Sequence, residues 1–206
     1  MDLHDIVVQM HDHEAWETLG RVAESQGGYV TLAQAEAVGI HRNTFRHHVR
    51  TGGWFERVER GLYRLRFFPS SPFEHIAAAW VRVGPETAVV SHESALELYG
   101  LSDVVPAEVH LTLPRAHRYR RTRFGARLHY PRTPLRADEV RRVHGVRATS
   151  PERTILDVLE GGTQPEQAEM AVRQALDRAL TTPERLARAA SDRPATIRTT
   201  LRRLVE

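Results

Sequence analysis

The stretch from Thr31 to Leu65, TLAQAEAVGIHRNTFRHHVRTGGWFERVERGLYRL, constrains this chain more than any other. Thr31 is a good cap for a short helix, Leu32 to Val38, and Gly39 permits a sharp turn. A second helix follows from about Arg42 to Arg50. Ile40, Phe45 and Val49 form its inward stripe, and Arg42, Asn43, Thr44, Arg46, His47 and Arg50 fall on or near the opposite face. After Thr51-Gly52-Gly53, the run WFERVERGLYRL reads as a strand, a tight glycine turn and a returning strand. Trp54, Val58, Leu62 and Leu65 are expected to cap the helical core. Arg57, Arg60 and Arg64 are then left for a phosphate backbone. Helix, turn, basic helix and basic hairpin in this order are the signature of a winged helix-turn-helix that reads DNA. Arginine can pair with guanine and asparagine with adenine, so the exposed face is chemically able to read bases.

Charge sharpens that reading. The net charge of +3 conceals strong segregation. Residues 41–66 carry seven arginines against two acids, and residues 114–147 carry eleven against two. Residues 1–40 have one arginine and seven acids, and residues 67–113 have one and six. Two basic blocks therefore interrupt an acidic or neutral chain, which points to a polyanionic partner. In the second block Arg115, Arg118, Arg120, Arg121, Arg123 and Arg127 surround Tyr119. That pattern suits nucleic-acid phosphates with a stacked base, or an acidic protein surface.

The remaining segments predict an α+β protein: an N-terminal winged helix-turn-helix over residues 1–68, then a mixed α/β domain over residues 73–206 with a small sheet and a helical C-terminus. The linker FFPSSP, from Phe67 to Pro72, marks the expected boundary. Ile76, Ala77, Trp80 and Val81 share one side of a helix from Phe73 to Val83. Ser91 caps a helix through Tyr99. Val109, Leu111 and Leu113 alternate along one strand, Ala126, Leu128 and Tyr130 along another, and Asp138 to Val146 is expected to be a third. A helix is expected to begin in ATSPERTILD, with Ser150 as cap and Pro151 at its first position. Gly161-Gly162 ends it, and Thr163 with Glu166 predicts a capping box for the next.

Several chemistries are excluded by composition. There is no cysteine, which removes disulfides and thiolate sites and fits a cytoplasmic protein. All 29 basic residues are arginine, so a Walker-type phosphate loop and Schiff-base chemistry are absent. No apolar run approaches the ~20 residues of a membrane helix, and no leader peptide is expected. Nothing predicts a catalytic centre, a cofactor or a metal site. His11 and His13 form only an HDH pair, and His47-His48 diverge on a helix. Ser91-His92-Glu93 holds triad residue types without triad geometry, and Ser91 is expected to serve as a cap. Asp103, Glu108, Asp138 and Asp157 would make a nuclease-like magnesium site only if the fold brought them together. A DNA-processing enzyme, or a basic module gripping RNA or an acidic protein, therefore remain as alternatives.

Four blocks in order resemble a known family: GGYVTLAQAEAVGIHRNTFRHHVRTGGWFERVERGLYRL, SHESALELYGL, EVHLTLPR and ATSPERTILDVLEGG. Together, over roughly Gly27 to Gly162, they look like the AbiEi antitoxins of type IV toxin–antitoxin systems. The resemblance implies a winged helix that binds double-stranded operator DNA, expected to be an inverted repeat, and represses its own promoter. It also implies a second domain that counteracts a cognate nucleotidyltransferase toxin. Carried over by position, the DNA readers are Arg42, Asn43, Arg46, His47 and Arg50, with Arg57, Arg60 and Arg64 on the wing. No enzymatic activity is implied.

Overall fold

The computed structural model describes residues 3–119 and 125–205. The chain divides into two compact units, Met1–Pro85 and Glu86–Glu206. The protein is mixed α+β, with one sheet in each unit.

The first unit runs α1 (Leu3–Glu24), β1 (Tyr29–Thr31), α2 (Leu32–Ala37), α3 (Arg42–Arg50), β2 (Phe55–Glu59), β3 (Leu62–Leu65) and α4 (Glu74–Val83). Its strands form an antiparallel sheet in the order β1-β3-β2. Thr31 caps α2 in a reciprocal box with Gln34. Gly39 has φ +95, a left-handed conformation that lets the chain reverse between α2 and α3. The core gathers Leu19, Ala23, Val30, Ala35, Ile40, Phe45, Phe55 and Tyr63. Phe45 is its hub: the Tyr63 ring meets it edge-on at 4.8 Å, with Phe55 at 5.7 Å and Trp16 at 5.9 Å. Burying such a ring contributes about 1.5–3 kcal/mol, enough to fix which face of α3 turns outward.

The wing corrects one expectation. Trp54 and Val58 are 46% and 49% exposed, whereas Phe55 is fully buried. The strand begins at Phe55, and its register shifts between Arg57 and Glu59. With Phe55 inward, two-residue alternation already turns Val58 outward, and Trp54 lies ahead of the strand. Leu62 is buried as expected, and Leu65 packs against the core. Beyond the linker, α4 packs with β1 and β3 and so belongs to the first unit. Its Ile76, Ala77, Trp80 and Val81 are buried, on the stripe that helical spacing predicts.

The second unit contains β4 (Val89–Val90), α5 (His92–Tyr99), β5 (Val109–Thr112), β6 (Ala126–His129), β7 (Val140–Val143), β8 (Val146–Thr149), α6 (Pro151–Gly161), α7 (Pro165–Asp177), α8 (Pro183–Ala189) and α9 (Ala195–Val205). The sheet order is β6-β5-β4-β8-β7. β5 and β6 are parallel, as are β4 and β8, while the other pairs are antiparallel. The helices share an apolar core of Leu96, Ile155, Leu156, Val172, Leu186 and Leu201, among others.

Two local expectations change here, while Ser150 caps α6 as expected. Asp138–Val146 is not one strand: a 3-10 turn (Ala137–Glu139) precedes β7, and a reversal at His144 and Gly145 starts β8. Ala148 and Thr149 therefore end a strand, and the helix begins after Ser150, whose hydroxyl accepts the Arg153 N–H. Thr163 does not cap α7. Gln164 holds that position without a side-chain bond, and the Thr163 hydroxyl donates to Glu93 instead. Among the described residues, no helix is long and apolar enough to cross a membrane.

Candidate functional site

The exposed face of α3 is built by what lies behind it. Phe45 is wholly buried, and Arg42, Asn43, Thr44, Arg46, His47 and Arg50 are all exposed. His41 caps the helix start, its Nδ1 accepting the Asn43 N–H at 3.3 Å. The six side chains differ in how they are held. Arg42 makes two bonds to Glu36 of α2, at 2.9 and 3.2 Å. That guanidinium holds the Glu36 carboxyl below its usual range, chiefly through hydrogen bonding. Arg50 donates to His47 Nδ1 at 3.2 Å. Arg46 makes no hydrogen bond or ion pair with the described residues, so its five donors face outward.

The helix and wing are joined tightly. The Trp54 N–H donates to His48 Nε2 at 2.8 Å, and the His48 ring lies 4.1 Å from the Trp16 ring. Burial pushes the His48 imidazole below its ordinary value, which keeps it the neutral acceptor this bond requires. Gly53 is obligatory at this joint, because a Cβ there would stand 2.1 Å from His48 Nε2. On the wing itself, Arg57 and Arg60 are exposed. Arg64 points elsewhere. It donates to Glu74 at 2.8 Å and to the Phe68 carbonyl at 3.0 Å, with a side chain 12% exposed. Arg64 is thus a strut between β3 and α4.

These features coincide with family-scale similarity. Residues 17–66 match the model described as a transcriptional regulator, AbiEi antitoxin, and residues 87–206 match the AbiEi antitoxin C-terminal domain. The chain belongs to the AbiEi antitoxin family. This is a family of transcriptional regulators and antitoxins, not of enzymes. A crystal structure of the RV2827C protein from Mycobacterium tuberculosis shares the fold, with a TM-score of 0.53 at 18% identity. The similarity covers 93% of this chain and 75% of that one. A comparison with curated proteins gave no match.

The second basic block of this AbiEi chain is only partly visible. Arg115, in a short 3-10 turn, and Arg118 and Arg127 are exposed. Arg118 bonds the Tyr119 hydroxyl at 2.7 Å and sits 4.4 Å from its ring centre, and Tyr119 is 80% exposed. Arg120, Arg121 and Arg123 lie outside the described residues, as does the side chain of His11.

The family block SPERTILD acquires a physical role in the antitoxin domain. Arg153 is buried and bonds Asp157 at 2.7 Å and Glu139 at 3.2 Å. Glu152, also buried, accepts from Thr181 and from Arg185. Burial raises the Asp157 carboxyl to about 6, against the pull of Arg153, and its Oδ2 has no hydrogen-bond partner. Residues that read as a helix start therefore also supply the buried polar framework of this unit. Arg153 and Asp157 line a cavity of about 640 Å³, together with His92, Thr112, His129 and Arg193.

Sequence reasoning missed what lies at that cavity. His92, His110 and His129 each place one ring nitrogen within 4.8 Å of the others. Ser91 precedes α5 but makes no capping bond. Its hydroxyl contacts His92 Nδ1 at 2.9 Å and receives the Thr112 hydroxyl at 2.8 Å. Burial, the main cause, lowers all three imidazoles, His92 to about 2 and His129 to about 4. The only available signal was two-residue spacing on β5, which puts His110 and Thr112 on one face; the pairing with β6 cannot be read from spacing. Asp103, Glu108, Asp138 and Asp157 form no such group. Among the described residues, the histidine trio is the only cluster able to hold a cation.

Proposed function

We propose that this AbiEi-family chain represses its own promoter by binding operator DNA, and that it counteracts a nucleotidyltransferase toxin. In this reading α3 enters the major groove, with Arg42, Asn43, Thr44, Arg46, His47 and Arg50 at base edges and adjoining phosphates. Arg57 and Arg60 of the wing follow the backbone. The supporting observation is the exposed α3 face backed by a fully buried Phe45, with Arg46 held by no hydrogen bond or ion pair among the described residues. In this reading Arg64 makes no DNA contact, since Glu74 and the carbonyls of Leu65, Phe68 and Pro69 engage its guanidinium. The operator is taken to be an inverted repeat. The exposed Arg115, Arg118 and Arg127 with Tyr119 form a second nucleic-acid contact in the same reading, through phosphate pairing and stacking.

The test is binding of the full chain to its own promoter fragment, measured across salt concentrations. Arg46→Ala and Arg50→Ala are each expected to lose ~1–3 kcal/mol on the operator and to relax its sequence preference. Unchanged operator binding by both variants would remove α3 as the reading helix. Co-expression with the adjacent gene product tests the antitoxin half: rescue of growth without repression, or the reverse, would separate the two activities.

A further inference from the structure

Three imidazoles from three elements meet in the second unit. His92 opens α5, His110 lies on β5 and His129 on β6. Pairing of β5 with β6 sets His129 opposite Thr112, two residues along the strand from His110, so all three side chains share one face. The His92 and His129 rings stack at 3.6 Å, and the His110 ring centre is 5.1 Å from that of His129.

The surroundings hold this arrangement rather than merely permit it. The His110 N–H donates to Ser94 Oγ at 2.9 Å, and its carbonyl accepts the Ser91 N–H at 3.0 Å. Both α5 serines thereby clamp the strand beneath the cluster. His92 adopts φ +52, a left-handed conformation that is strained for a non-glycine residue. Strain of this kind persists where surrounding structure imposes it, and it concentrates at ligand sites. Two ring nitrogens, His110 Nδ1 and His129 Nε2, are buried without a hydrogen-bond partner. His110 is 7% exposed. Leaving such groups unsatisfied is unfavourable, so the fold sustains an arrangement that packing alone would not select.

We infer that His92, His110 and His129 form a binding site for a zinc-class divalent cation. The donor set decides the class: three nitrogens with no thiolate or carboxylate suit zinc, cobalt, nickel or copper and disfavour magnesium and calcium. When His92 Nδ1–H donates to Ser91 Oγ, the ring is oriented and its Nε2 lone pair is free, the arrangement by which metal-bound histidines are generally fixed. Zinc–nitrogen bonds of about 2.0–2.1 Å require tetrahedral nitrogens to lie ~3.3 Å apart. The three present atoms lie within 4.8 Å, and metal binding would turn the stacked His92 and His129 rings apart so that their lone pairs converge.

Of the nearby arginines, the exposed Arg127 acts on all three imidazoles, while two of those that line the cavity beside the cluster are compensated. Arg153 is neutralised by Glu139 and Asp157, and Arg193 by Glu160. His92 and His129 also line the cavity described above, which leaves a fourth position open to water or an anionic group. Bound metal would staple the edge strand β6, and with it Arg127, to α5.

The experiment uses untagged full-length protein treated with a chelator and titrated with cobalt(II), followed by visible absorption and thermal unfolding. One equivalent per chain with tetrahedral-type absorption and a raised unfolding temperature is expected. X-ray absorption of the wild-type cobalt complex should show imidazole scattering from three ligands, a readout that needs no variant to fold. His110→Gln and His129→Gln should each weaken binding by more than the roughly 10–100-fold that loss of an outer-shell partner causes. His129→Cys should restore binding and add a thiolate-to-cobalt charge-transfer band. His11→Gln and His13→Gln should leave the single site intact. Absence of cobalt binding by the wild type, fewer than three imidazole ligands, or binding that survives His110→Gln and His129→Gln would each overturn the assignment.

Discussion

The two units use arginine in opposite ways. On α3 and the wing, Arg46, Arg50, Arg57 and Arg60 stand exposed around a core of aromatic rings. In the antitoxin domain Arg153 is turned inward and compensated on both sides by Glu139 and Asp157. The same side chain is an outward donor on α3 and an internal tie at Arg153, a role Arg64 also plays between β3 and α4. Stability and recognition should therefore separate by unit, and each can be probed without disturbing the other.

The largest test of this contrast is Arg153→Ala. It strands Asp157 and Glu139 in a buried site, and breaking such a pair from one side costs about 3–5 kcal/mol. Urea unfolding of the variant should show that loss, while Arg46→Ala should shift the same midpoint by no more than about 0.5 kcal/mol. If Arg46→Ala proved as destabilising as Arg153→Ala, the separation would fail.

Gly53→Ala should have the next largest effect, about 1–3 kcal/mol from overpacking against His48. Loss of the Trp54–His48 bond would be visible in tryptophan fluorescence, and operator affinity should fall although no exposed arginine has changed.

A pH titration of metal-free protein sharpens the comparison further. His92, His110 and His129 have folded values below the ordinary 6.5 of the unfolded chain. The unfolded chain takes up those protons first, so their contribution is complete above about pH 6.5 and declines as pH falls toward 4. Asp157 works the other way, since its folded value of about 6 exceeds the unfolded 3.8. Its protonation below pH 6 offsets part of the loss. Three groups against one should leave a net decline of roughly 2–3 kcal/mol between pH 7 and 5, measured by urea midpoints.

Arg60→Ala is expected to do least. Operator affinity should drop uniformly across sequences, with the salt slope reduced by about 1 and no change in base preference. Altered base preference would move Arg60 from the backbone to the base-reading set.

The sequence made local features legible and left long-range ones hidden. α3 runs from Arg42 to Arg50 because Phe45 and Val49 supply helical spacing between a histidine cap and a glycine turn, all within reach of one another along the chain. Ser150 and Pro151 announce α6 for the same reason. On the wing, Trp54 and Phe55 are adjacent and both apolar, so spacing alone does not say which ring turns inward. Ser91 and Thr163 were read as caps because capping is the commonest local use of their hydroxyls. Each instead bonds a partner brought by the fold, Thr112 in one case and Glu93 in the other. The histidine cluster was hidden in the same way, since it depends on strand pairing.

The His48 joint has one more consequence. Because α3 and the wing are tied through the His48 ring, which accepts the Trp54 N–H and packs against Trp16, the distance between them is set before any duplex arrives. The first unit is therefore a caliper. Clamped on DNA, a caliper of set span favours steps whose groove width already matches it and penalises those that must deform. Base pairs that no side chain reaches would then help to decide where the protein settles.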